Sequence, residues 1–90
     1  MPSDLEEAPE IRFKRLQMRS WRRGTKEMDL ILGPFSDSEV KTLSANELDA
    51  YEAMLTENDQ DLYRWVSGQD ELPELHASIL EKIREFHHIA

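Results

Sequence analysis

Ninety residues without one cysteine exclude a disulfide framework and thiolate chemistry. They fit one domain with a thin core, since a chain this small buries only about 60–65% of the surface it exposes when unfolded. Apolar residues at 39% and charged residues at 33% suit a globular chain, and no apolar run approaches the roughly eighteen residues of a membrane span.

Residues 1–9 hold Pro2, Pro9 and the acids Asp4, Glu6 and Glu7 with few apolar anchors, and are expected to form a disordered acidic tail. That stretch resembles neither a basic-then-apolar signal peptide nor an Arg-rich, acid-poor transit peptide, which points to the bacterial cytoplasm. Residues 10–90 are then expected to form a single helical domain. The first helix is expected over 10–23, opened by Pro9 and Glu10, with Phe13, Leu16, Met18 and Trp21 as apolar contacts. Arg22 and Arg23 would fall in its last turn, and Gly24 would take the left-handed position beyond it. The second helix, 25–41, starts at Thr25 and carries Met28, Ile31, Leu32 and Phe35 at helical spacing. Pro34 interrupts it, predicting either a kink or a stop and restart through Asp37, the kink being the better fit to the apolar phase of Val40 and Leu43.

Ser44-Ala45-Asn46-Glu47 is a capping box, opening a third helix to about Thr56 with Leu48, Tyr51 and Leu55 on one face. Asn58 or Asp59 caps a short fourth helix that buries Leu62, Trp65 and Val66 and ends at Gly68. Pro73 opens a fifth, with Leu75, Ile79, Ile83 and Phe86 as its buried stripe. No stretch alternates like a strand. The expected class is all-α, a compact five-helix bundle.

Charge is unevenly spread. Seven of the eleven basic residues lie between positions 12 and 26, which hold no acid, whereas residues 27–90 hold fifteen acids against four bases. A basic element on an acidic body serves to orient a partner. Nucleic acid is a weak candidate, because the acidic body would repel phosphate. The acids around Asn58 lack the glycine and closing glutamate of a calcium loop, and His76 lies too far from His87 and His88 to share a zinc site. No nucleophile has an orienting base, and neither phosphate-loop nor dinucleotide fingerprint is present, so the chain is not expected to be an enzyme. Arg23, Gly24 and Glu27 admit a plain reading as a capped helix junction. They also admit a functional one, in which a glycine turn lets another backbone approach between a five-donor fork and an acceptor.

Trp21-Arg22-Arg23-Gly24-Thr25-Lys26-Glu27, followed by Met28-Asp29-Leu30-Ile31-Leu32-Gly33-Pro34-Phe35, resembles the signature of the succinate dehydrogenase assembly factors, the flavinylation factors of the SdhE type. Asp59-Gln60-Asp61-Leu62-Tyr63-Arg64-Trp65 is similar to a second motif of that family, and together the likeness covers about positions 10–86. The resemblance implies a five-helix bundle that binds the flavoprotein subunit of succinate dehydrogenase, and in some bacteria that of fumarate reductase. It implies that binding promotes covalent attachment of FAD to a histidine of that subunit, with no cofactor belonging to this chain. Arg23, Gly24 and Glu27, flanked by Trp21 and Arg22, would form the partner-binding surface, with Glu27 fixing Arg23 or pairing with a partner cation. A small regulatory binding protein such as an antitoxin is the alternative. A monomer or weak homodimer, with no nucleic acid and no membrane insertion, completes the expectation.

Overall fold

A computed structural model describes residues 7–88, with five α-helices and no strand among them. They are α1 (Pro9–Trp21), α2 (Lys26–Glu39), α3 (Ala45–Met54), α4 (Asp59–Val66) and α5 (Ala77–Phe86). Short 3₁₀ turns, Val40–Thr42 and Glu74–His76, follow α2 and precede α5. Most of the expected acidic tail lies outside the described residues; of its last three, Pro9 is the first residue of α1 and Glu7 pairs with Arg15.

Local chemistry sets most helix starts. The Thr25 hydroxyl accepts from the Met28 amide (3.2 Å), and Ser44 and Glu47 exchange bonds of 2.9 and 3.1 Å in a complete capping box. Asn58 accepts from the Asp61 amide at 2.8 Å, leaving the Asp59 carboxylate for other work. Gly68, at φ +86°, closes α4, with the Gln69 and Gly68 amides bonding the Arg64 and Trp65 carbonyls.

The helices close over one core. Leu16 of α1 meets Met28, Leu32 and Phe35 of α2, Tyr51 and Met54 of α3, Leu62 and Val66 of α4, and Ile79, Leu80 and Ile83 of α5. Phe35 is its aromatic centre, with ring centroids 5.6 Å from both Tyr51 and Phe86. The Tyr51 hydroxyl is buried and bonds Ser20 Oγ at 2.6 Å, which in turn donates to the Leu16 carbonyl, so no polar atom of that trio is stranded.

Three expectations are corrected. The first helix stops at Trp21, two residues early, and Arg22 at φ −124° leaves the helical path. Second, α2 runs unbroken through Pro34 to Glu39, so the restart through Asp37 does not occur. The ring still removes the amide that would have bonded the Leu30 carbonyl. At the next residue, His87 Nε2 donates to the Ile31 carbonyl at 2.7 Å and ties the end of α5 to α2. Third, Leu75 is 81% exposed instead of lining the core. The 3₁₀ turn there advances about 120° per residue against 100° in an α-helix, which puts His76 inward in its place. His76 is buried and bonds Glu57 Oε2 at 2.8 Å.

Candidate functional site

The turn between α1 and α2 is held from beneath. As the chain leaves α1, the Arg23 amide donates to Asp29 Oδ1 at 2.7 Å, in the first turn of α2. The Arg23 side chain then runs to the junction of α3 and α4, and only 12% of it remains exposed. Its Nη1 donates to the Leu55 carbonyl (2.8 Å), its Nη2 to the Glu57 carbonyl (2.7 Å) and its Nε to Asp59 Oδ1 (2.7 Å). Leu55 caps the C-terminus of α3, where carbonyls lack helical donors and a cation is favoured; Asp59 opens α4, where a carboxylate is favoured. One planar guanidinium thus serves both helix ends, a geometry that a lysine ammonium does not reproduce.

Asp59 uses its second oxygen on the turn itself. Its Oδ2 accepts from the Gly24 amide at 2.5 Å. Gly24 does not take the expected left-handed conformation; the positive-φ residues among those described are Gly68 and His88. Glycine is favoured for a different reason: a Cβ there would stand 2.7 Å from Asp59 Oδ2, so any larger residue must displace that carboxylate. The two sequence motifs are therefore one interlocked unit, Arg23-Gly24 on one side and Asp59 on the other.

The remaining predicted residues divide. Glu27 is exposed on the first turn of α2, with its carboxylate bonded to none of the described residues. It lines an open groove of about 490 Å³ with Thr25, Asp59, Gln60, Tyr63 and Gln69. Asp59, and not Glu27, fixes Arg23. Arg22 is fully on the surface beside the turn. Trp21, the last residue of α1, turns its ring onto the middle of α2: it covers Gly33, where any Cβ would overlap the indole, and its Nε1 donates to Asp37 Oδ2 at 3.1 Å. Trp21 is 40% exposed but does not join Glu27 in the groove.

Asp59 was the residue missed. Residue by residue it reads as a helix cap, and only the co-occurrence of the two motifs hinted that it pairs with Arg23. The basic run also resolves into two groups. Arg12 reaches Asp49 at 2.8 Å and Glu52 at 2.9 Å, and Arg15 reaches Glu7 at 2.8 Å and Glu52 at 2.7 Å, tying α1 to α3. Hydrogen bonds from Arg15 and then Arg12 hold the Glu52 carboxyl below its usual range. Lys14, Arg22 and Lys26 stay exposed. No group of three metal-ligating side chains occurs among the described residues, and none of their helices is long and apolar enough to cross a membrane.

The arrangement is suited to recognition: a rigid turn with a bare glycine backbone, an exposed carboxylate at a helix N-terminus and a groove beside it. Residues 14–87 match the family model described as the flavinator of succinate dehydrogenase. The chain is 36% identical over 73 residues to a mitochondrial succinate dehydrogenase assembly factor 2 of Mycosarcoma maydis, covering 81% of this chain and 31% of that protein. It is 44% identical over 50 residues to the FAD assembly factor SdhE of Legionella pneumophila strain Lens, covering 56% of this chain and 63% of the relative. A mitochondrial succinate dehydrogenase assembly factor 2 of Candida glabrata is 33% identical over 87 residues, covering 91% of this chain and 57% of that protein. The chain thus spans from about a third to just under two thirds of the length of these relatives. No solved structure matches it. With nearly the whole helical domain inside that match, the chain belongs to the family of flavinators of succinate dehydrogenase.

Proposed function

We propose that this chain binds the flavoprotein subunit of succinate dehydrogenase, or of fumarate reductase, and promotes covalent attachment of its FAD. On this reading it is a maturation factor and not an enzyme, holds no cofactor of its own, and acts as a monomer or weak homodimer. The setting on this reading is the bacterial cytoplasm, with the Legionella likeness supporting a bacterial member and the mitochondrial relatives supporting a different compartment for others of the family.

The observation that carries the reading is the Arg23–Asp59 clamp. It commits a guanidinium, a carboxylate and two carbonyls of the α3–α4 junction to the shape of one surface turn. A turn held this way is pre-organised, so little binding free energy is lost in ordering it. Gly24 then offers a backbone that a partner can approach closely, and Glu27 offers a carboxylate to a partner cation or amide. Trp21 and Arg22 flank that contact, and Arg23 acts through the turn it holds. The protein favours the attachment-competent arrangement of the flavoprotein simply by binding it better than the open one.

The test combines apo-flavoprotein subunit and FAD with and without this protein, and reads covalent flavin by in-gel fluorescence. Covalent flavin should rise with the protein present. Glu27→Ala should abolish the rise with the melting temperature unchanged. Equal flavinylation with and without the wild-type protein would refute the reading.

A further inference from the structure

We propose that the outer face of α1 is a second docking surface, fitted to an acidic, partly apolar segment of the partner flavoprotein; this rests on the function proposed above. Ile11, Lys14 and Met18 follow one another at helical spacing along the exposed side of α1, and Arg22 stands exposed just past its end. With Arg19 they line a shallow groove of about 540 Å³, one wall of which is Arg23, so the groove runs directly into the clamped turn. Ile11 and Met18 are 59% and 50% exposed, an apolar floor that none of the described helices covers.

Charge selects the occupant. Arg12 and Arg15 are neutralised by acids of α3 and by Glu7, whereas Lys14 and Arg22 are bonded to none of the described residues, and Arg19 has only Glu52, at 3.9 Å. A chain of net charge −8 therefore sets Lys14, Arg19 and Arg22 around one apolar strip, while Lys26 and Lys41 stand exposed elsewhere. That pattern complements carboxylates spaced between aliphatic side chains, with the Met18 thioether adapting to their shape. A continuous phosphate backbone fits less well, because its unbroken charge would run on past Lys14 and Arg22 to Asp37, whereas a peptide can set its carboxylates opposite the cations alone and its aliphatic side chains between them. A second copy of this chain also fits less well, since two bodies of charge −8 repel.

The experiment measures binding of full-length protein to the flavoprotein subunit across a salt series, with covalent flavin read in the same samples. The variants are Lys14→Glu with Met18→Glu, and Lys14→Arg as the charge-conserving control, each checked for helicity. The expected result is roughly tenfold slower association for the double variant, a flatter salt dependence, and wild-type behaviour for Lys14→Arg. If wild-type protein raises covalent flavin but the double variant associates at the wild-type rate, the α1 surface is overturned and the proposed function stands. If wild-type protein neither binds nor raises covalent flavin, the function itself fails. A wild-type dimer in sedimentation that the double variant dissociates would overturn the proposal in favour of self-association. Tighter binding to duplex DNA than to the flavoprotein would overturn it in favour of a polyanion.

Discussion

Replacing Asp59 by alanine tests whether the clamp is what shapes the turn. The change removes the acceptor for Arg23 Nε at 2.7 Å and for the Gly24 amide at 2.5 Å, and takes a carboxylate from the first turn of α4. Arg23 and Asp59 side chains are only 12% and 15% exposed, so water does not readily replace what is lost. A charge-assisted bond in such surroundings contributes about 1.5–3 kcal/mol, and the helix-end carboxylate about 0.5 kcal/mol. Arg23 keeps its bonds to the Leu55 and Glu57 carbonyls, which offsets part of the loss. The net destabilisation expected is about 2–4 kcal/mol. For a domain of this size that lowers the melting temperature by about 10–25 °C, readable by circular dichroism at 222 nm. Asp59→Asn should lose roughly half as much, because one amide oxygen still accepts while the amide nitrogen faces a donor. With Arg23→Ala, the double-mutant cycle should return a coupling of about 1–3 kcal/mol. An Asp59→Ala protein within about 0.5 kcal/mol of wild type, or additive costs in the cycle, would refute the clamp.

Other substitutions probe neighbouring contacts. Gly24→Arg should leave the helices folded at 25 °C, push Asp59 out of the clamp and abolish flavoprotein binding in a pull-down; intact binding would show that close approach at Gly24 is unnecessary. Gly33→Ala drives a methyl into the Trp21 ring, and should cost about 1–3 kcal/mol in urea unfolding and red-shift tryptophan emission. On the acid side, the Glu52 carboxyl is held below its usual 4.5, first by the Arg15 hydrogen bond. A depressed folded pKa stabilises above the unfolded value and is lost as pH falls through the folded one, so stability should drop below about pH 4.5 and Glu52→Gln should flatten that limb. On the alkaline side, burial pushes Tyr51 up from 10.0 to about 12. Its neutral hydroxyl favours the fold below pH 10, and that contribution falls away from there towards about pH 12. Tyr51→Phe should remove the alkaline slope.

The helix inventory was legible because its signals are local. Apolar spacing in Met28, Ile31, Leu32 and Phe35, the Ser44–Glu47 box and the Asn58 cap each act within a turn or two. Leu75 escaped for a reason sequence spacing does not encode: a single 3₁₀ turn shifts the phase of everything before Ala77. Gly24 stood out in the sequence as a turn glycine, but what constrains it is a carboxylate 35 positions away and not its own dihedral. The basic run misled in part, since charge counting cannot tell Arg12 and Arg15, committed to α3, from Lys14 on the same helix or Arg22 just past its end. Long-range pairing was the part of the site that local chemistry could not supply.

The separation of Arg23 from Asp59 also sets when the surface comes into being. A fragment ending within α2 contains Arg23, Gly24 and Glu27 intact, yet has neither the Leu55 and Glu57 carbonyls nor the Asp59 carboxylate that define the turn. During synthesis the motif is complete long before its shape is. On the function proposed above, recognition through this turn would also check completeness, since a truncated or half-folded chain would display the same residues without the clamped surface.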